Sequence, residues 1–348
     1  MMLPYIFVLI VIISTIYVGQ KSIKYKDIYF PIFILTIFSG IRDYTIGTDT
    51  VVYVRDFRNS LDYNYYFFDP NIEYGYQYLV YTILKFTNEY HWYLLSVALI
   101  SVGLMIYSIR KYSTDYILSV YIYITFGFYT FLFNTVRQAI ALAILFYGIK
   151  FFLEKKLIKY LAVVFVASLF HISAWIMIPF YFIVHFKFKV EIKAILIFIS
   201  SAILSSMVIQ YMSVSNQRYE QYTQESEHAG GYLLLFFYSF IALFLYIFGK
   251  RLRVNNKNYS LLEQLYFCGL MFVLPIALLG TDPSGPQRVL YNFSVYLILL
   301  IPMILRDQFN KSIYLGLFYI LAFIYFMMIT YSLYGIYPYV LNDVFRIF

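Results

Sequence analysis

Long apolar runs separated by short polar gaps fill the chain from end to end. Met2 to Val18, Ala194 to Met212, Tyr232 to Gly249 and Ser312 to Leu333 are each close to the roughly 20 residues that a bilayer-spanning helix needs. The gaps are of two kinds. Basic gaps lie at Lys21–Lys26, Arg110–Lys111, Lys150–Lys159, Lys187–Lys193, Lys250–Lys257 and Arg306–Lys311. Between them the chain turns at lysine-poor stretches: 42–91, 130–137, 170–174, 213–231 and 281–288, followed by the tail from 334. This alternation predicts an all-α, polytopic integral membrane protein with about twelve transmembrane segments and both termini on the lysine-poor side. A single membrane domain, 1–348, is expected, with a long outer loop over 42–91 and a polar one over 213–231.

Composition agrees. Hydrophobic residues make up 62% of the 348, charged residues only 13%, and mean hydropathy is +0.72, which excludes an ordinary soluble domain. Fourteen of the fifteen lysines fall in the basic gaps, and only Lys85 lies elsewhere. Seven of the eleven arginines fall in the other gaps. Lysine-rich gaps mark the cytoplasmic face. On that assignment the inner gaps hold 18 cations and 6 acids, and the outer ones 8 cations and 12 acids. The net charge of +8 is therefore the sum of two opposed faces and not a nucleic-acid signal. The 41 Tyr and 36 Phe fit interfacial belts. The lone Cys268 excludes an intramolecular disulfide. No zinc-type ligand spacing appears; scattered outer acids could hold a divalent cation but nothing requires one, and no metal site or cofactor is assigned. The N-terminal run has no basic leader and is expected to remain as the first span.

Between Lys159 and Lys187 there are only 27 residues, too few for two ordinary spans. A short or re-entrant hairpin over about 160–186 is expected, turning near Phe170-His171-Ile172-Ser173, with Pro179 breaking its return arm. One long span is the alternative.

Five outer clusters could carry chemistry. Arg42-Asp43-Tyr44-Thr45-Ile46-Gly47-Thr48-Asp49-Thr50 reads either as a capped loop entering a helix at Asp49 or Thr50 or as a ligand loop with a tight turn at Gly47. Glu73-Tyr74-Gly75-Tyr76 sets a carboxylate among rings that could lie under a sugar. Arg137-Gln138 follows Asn134 at the start of a span, where helix N-terminal N–H groups favour an anion. His171 with Ser173 sits at the apex of the hairpin, where a neutral imidazole could take a proton from a sugar hydroxyl. Arg218 and Arg288 close the set; arginines converging from several loops could hold a diphosphate in forked contacts.

Taken in this order, these motifs resemble the EpsG family of bacterial polysaccharide-assembly membrane proteins, itself similar to Wzy O-antigen polymerases. The carriers are Arg42 with Gly47-Thr48-Asp49-Thr50 and Tyr53, Glu73-Tyr74-Gly75-Tyr76, and Arg137-Gln138 with Ala141. Further on come Phe170-His171 with Ser173-Ala174, Arg218 with Tyr222, and Arg288 with Tyr291. The resemblance implies a GT-C-like glycosyltransferase in the inner membrane, facing the periplasm. It would join undecaprenyl-diphosphate-linked oligosaccharide repeats, with a chain-length regulator as a possible partner. Arg42, Arg137, Arg288 and Arg218 would bind the diphosphate. His171, or else Asp49 or Glu73, would activate the acceptor, and Gln138, Tyr74, Tyr76 and Ser173 would contact substrate. The polar loop 213–231 would act as a lid. A lipid-oligosaccharide flippase and a membrane O-acyltransferase are the rival readings.

Overall fold

The computed structural model describes residues 2–22, 27–215, 231–279, 285–308, 312–332 and 335–345. It is all-α. In chain order the helices are α1 (Leu3–Ser22), α2 (Tyr29–Gly40), α3 (Thr50–Tyr53), α4 (Arg55–Arg58), α5 (Tyr74–Leu84) and α6 (Tyr90–Tyr112). Then come α7 (Tyr116–Thr125), α8 (Val136–Tyr147), α9 (Ile149–Leu153), α10 (Leu157–Ser168), α11 (Met177–His185) and α12 (Val190–Ser215). The rest are α13 (Tyr232–Phe248), α14 (Lys250–Asn255), α15 (Lys257–Leu278), α16 (Tyr291–Ser294), α17 (Leu297–Gln308) and α18 (Ser312–Ser332).

Every one of the twelve expected segments is helical, but they are unequal. Among the described residues, five stretches are long and apolar enough to cross a bilayer: Leu3–Lys21, Tyr90–Tyr112, Tyr116–Phe133, Lys257–Leu278 and Ile313–Ser332. The pair Pro286–Ser294 and Leu297–Gln308, bent by 42°, makes a sixth if it is one span. α2, α8, α10, α13 and the stretch Ile172–His185, which contains α11, are apolar but shorter. The molecule is thus built as a multi-pass membrane protein, in which a bend interrupts one stretch that the sequence presents as continuous.

The chain forms two compact units: 1–150 with 158–174 and 309–348, and 151–157 with 175–308. In the first unit polar contacts join gaps of the same kind, and in the second they tie the Lys187–Lys193 gap to neighbouring helices. In the first unit, Arg110 at the end of α6 reaches buried Asp27 through Nε at 2.9 Å, linking two basic gaps. In the second, Lys193 donates to Gln264 (2.7 Å), and Tyr246 donates to Glu191 (2.9 Å). The lysine-poor gaps meet each other in the same way. In the first unit, Asp43 N donates to Val340 O and Asn342 N to Ile41 O, both 2.9 Å. Gly47 N donates to Gly335 O at 3.0 Å, and Tyr5 at the start of α1 donates to Ile336 O.

The hairpin expectation meets a broken segment. α10 stops at Ser168, and a 3-10 turn over Ile172–Ile176 leads into α11. Pro179 does not break that arm. It sits in the first turn of α11, where the missing N–H costs little, and the helix runs through it to His185.

Gly47 is required by geometry. Its φ is +94°, and a Cβ there would lie 2.5 Å from Phe133 O. Gly47→Ala is expected to destabilise the protein by about 2 kcal/mol, read as a lowered Tm in detergent. An unchanged Tm would contradict this backbone account.

Candidate functional site

The site assembles in the first unit from three lysine-poor segments. Glu73 is the N-cap residue of α5, with extended backbone and no side-chain cap bond, so its carboxylate is free to reach elsewhere. It receives Arg137 Nη1 at 2.5 Å and the backbone N–H of Ile172 at 3.1 Å. Arg137 stands in the first turn of α8, with Tyr53 near enough to act on its charge. Its guanidinium lies 5.9 Å from the Tyr76 ring. Both members of the pair are mostly buried, at 21% and 14% side-chain exposure.

One carboxylate therefore joins α8 to the turn before the 3-10 segment. Backbone contact reinforces the junction. Tyr76 N donates to Leu169 O at 3.2 Å, and a Cβ on Gly75 would sit 2.7 Å from that same oxygen. Only glycine lets α5 come this close to the Leu169–His171 turn. The turn carries His171, whose Nδ1 lies 2.8 Å from Ser173 Oγ and accepts the Ser173 N–H at 3.2 Å. A backbone N–H can only donate, so Nδ1 is the acceptor and the neutral ring keeps its proton on Nε2.

Burial works against charge on Glu73, but Arg137, His171 and backbone N–H groups outweigh it and hold the carboxyl below the usual glutamate range. A lowered folded-state pKa stabilises the protein above the unfolded value and loses that contribution as pH falls. The Tm gap between the native chain and Glu73→Gln is therefore expected to be full at neutral pH. It should close only below about 4.3, the ordinary glutamate value. A gap that closes between pH 7 and 5 would contradict the pairing.

The structure brings together Glu73, Tyr76, Arg137, His171 and Ser173. It adds Tyr53, which the motif contained but no role had been attached to. The loop 43–50 packs alongside: the Thr48 hydroxyl donates to Asn134 at 2.9 Å, three residues before Arg137. Asp49 precedes α3, which starts at Thr50 as the capping pattern required, although no side-chain cap bond forms. Tyr74 is exposed at the start of α5.

Several expectations need correcting. Arg42 is fully buried, held by Ser39 at its carbonyl and hydroxyl. Its guanidinium faces the Phe133 ring at 4.3 Å, so it is walled off from an outer ligand. Tyr76 is buried and pairs its hydroxyl with Tyr93 at 3.0 Å, so it cannot lie under a sugar. Gln138 is also buried. Glu73 is a poor base, since its carboxylate is already committed to a guanidinium and an N–H. Arg288 lies in a 3-10 turn of the second unit, Pro286–Leu290. Arg218 and most of the 213–231 loop lie outside the described residues. Among those residues, no three His, Cys, Asp or Glu side chains gather as a metal site would need.

The model of one protein family, EpsG, matches residues 27–341 and so covers every element of this site. The chain belongs to the EpsG family. No curated protein and no solved structure matches it. EpsG proteins are membrane proteins linked to exopolysaccharide biosynthesis. The EpsG match takes in Tyr53, Glu73, Arg137 and His171 together.

Proposed function

We propose that this EpsG protein polymerises lipid-diphosphate-linked oligosaccharide repeats into O-antigen or a related surface polysaccharide, at the periplasmic face of the inner membrane. The observation that carries this reading is the convergence of Glu73, Arg137 and the His171–Ser173 turn. They come from three separate segments, all on the arginine-bearing side. A flippase needs a path between faces, whereas this cluster gathers its unusual groups at one face.

The chemistry follows from the geometry. Glu73 engages only Nη1 of the Arg137 fork, leaving N–H donors for a diphosphate oxygen. The acceptor hydroxyl lies against Ser173 Oγ. As its oxygen attacks the donor's anomeric carbon, its proton passes to Ser173 Oγ while that hydroxyl's proton passes to His171 Nδ1. The bond from the anomeric carbon to the phosphate oxygen breaks, and the lipid diphosphate departs with the bonding pair. Glu73, close enough to His171 to act on its charge, stabilises the imidazolium formed. Its role is thus positional and electrostatic, with the proton taken by His171. Arg42, Arg218 and Arg288 have no step assigned, and the undecaprenyl lipid and a chain-length regulator belong to the same proposal.

Deleting the gene and resolving surface lipopolysaccharide on a gel tests the reading. Loss of the ladder with a single repeat still attached is expected. Complete loss of surface repeats would point to a flippase instead.

A further inference from the structure

α5 has two faces. Tyr76, Gln77, Val80 and Leu84 form its buried stripe. Tyr74 and Tyr78, one turn apart on the other face, are 54% and 59% exposed. A platform is built beside them. Gln77 clamps the preceding loop, accepting from Asp69 N at 2.8 Å and donating to Asp69 O at 2.9 Å and Ile72 O at 2.7 Å. That clamp sets the Phe68 ring 5.0 Å from Tyr78 and 5.7 Å from Tyr81.

We propose that Tyr74 and Tyr78, with Phe68 beside them, form a stacking rail that guides the growing glycan away from Glu73. The inference rests on the polymerase reading and adds where the polymer runs. Three features favour a saccharide. The rail begins at the residue next to Glu73, so it is continuous with the candidate site. Its two tyrosines are spaced by about 6 Å along the helix axis, a step suited to successive rings of a sugar chain. Its face also carries exposed Thr82 and Lys85, which can bond hydroxyls but would be poorly placed in hydrocarbon. Aromatic faces beside polar groups suit pyranose rings, which are apolar on their C–H faces and polar at their edges.

The test uses the full chain in vesicles, with Trp92 and Trp175 changed to Phe and a single reporter, Tyr74→Trp or Tyr78→Trp. The probe is oligosaccharide released from the host's own surface polysaccharide. The oligosaccharide is expected to lower acrylamide quenching of both reporters by about twofold or more, and brominated lipid should leave them bright. In cells, the Tyr74→Ala/Tyr78→Ala pair should shorten the ladder. Strong quenching by brominated lipid would mean a membrane seat and overturn the rail. Unchanged acrylamide quenching with oligosaccharide would overturn it as well. The two proposals can fail separately: shielded reporters with an intact ladder in the deletion strain would sink the polymerase reading alone. A lost ladder with unshielded reporters would sink the rail alone.

Discussion

Arg137→Lys is expected to cut polymer formation by about tenfold or more while leaving the charge in place. The native guanidinium serves Glu73 through Nη1 at 2.5 Å, and its remaining donors are fixed in direction by that planar fork. A lysine ammonium is a point charge on a flexible stem and cannot hold Glu73 while presenting further donors in one plane. Glu73 would loosen, and with it the Ile172 N–H that fixes the turn carrying His171. Removing the charge altogether should also unfold part of the site. A largely buried carboxylate that loses its partner costs about 3 kcal/mol or more, so Arg137→Ala should lower Tm as well as activity. Arg137→Lys, by contrast, should keep most of the stability. Ladder length and Tm measured on both variants separate the two effects, and a full ladder from Arg137→Lys would count against the assignment.

His171→Gln should be costlier still for turnover, by about a hundredfold, with little change in Tm. The glutamine oxygen can still accept the Ser173 N–H and so hold the turn, but it cannot take up a proton. Ser173→Ala should fall between the native chain and His171→Gln. It removes the hydroxyl that relays the proton and leaves the imidazole in place. The rate of ladder growth after induction reads the difference. If Ser173→Ala and His171→Gln both grow at the native rate, the base has been placed wrongly.

The fold was largely legible because a bilayer imposes a simple period. Apolar runs of near-span length and gaps sorted by lysine and arginine locate the long apolar helices and the shorter ones, and the polar contacts of the first unit respect that sorting. What was not legible is where a run bends. The pair Pro286–Ser294 and Leu297–Gln308 turns by 42° within a stretch that hydropathy reads as continuous. Pro179 was misread for a related reason, since the effect of a proline depends on its place within the helix.

The site was legible in its parts but not in its connections. Glu73 and Arg137 are 64 residues apart, and no local pattern says that one neutralises the other. The short turn at His171 could be seen, because only a break fits between Lys159 and Lys187. Arg42 shows the opposite error. A sequence records its charge but not that Ser39, Phe133 and the returning segment 340–342 enclose it. Tyr53 could have been found from its place in the motif, had a partner for Arg137 been sought.

The most direct test of the central claim is reconstitution. The purified chain in vesicles, supplied only with lipid-diphosphate-linked repeat units, should build lipid-linked polymer and release one lipid diphosphate for each repeat joined. His171→Gln should do neither at more than a small fraction of the native rate. Movement of the repeat units across the bilayer, with no new glycosidic bond and no lipid diphosphate released, would contradict the account.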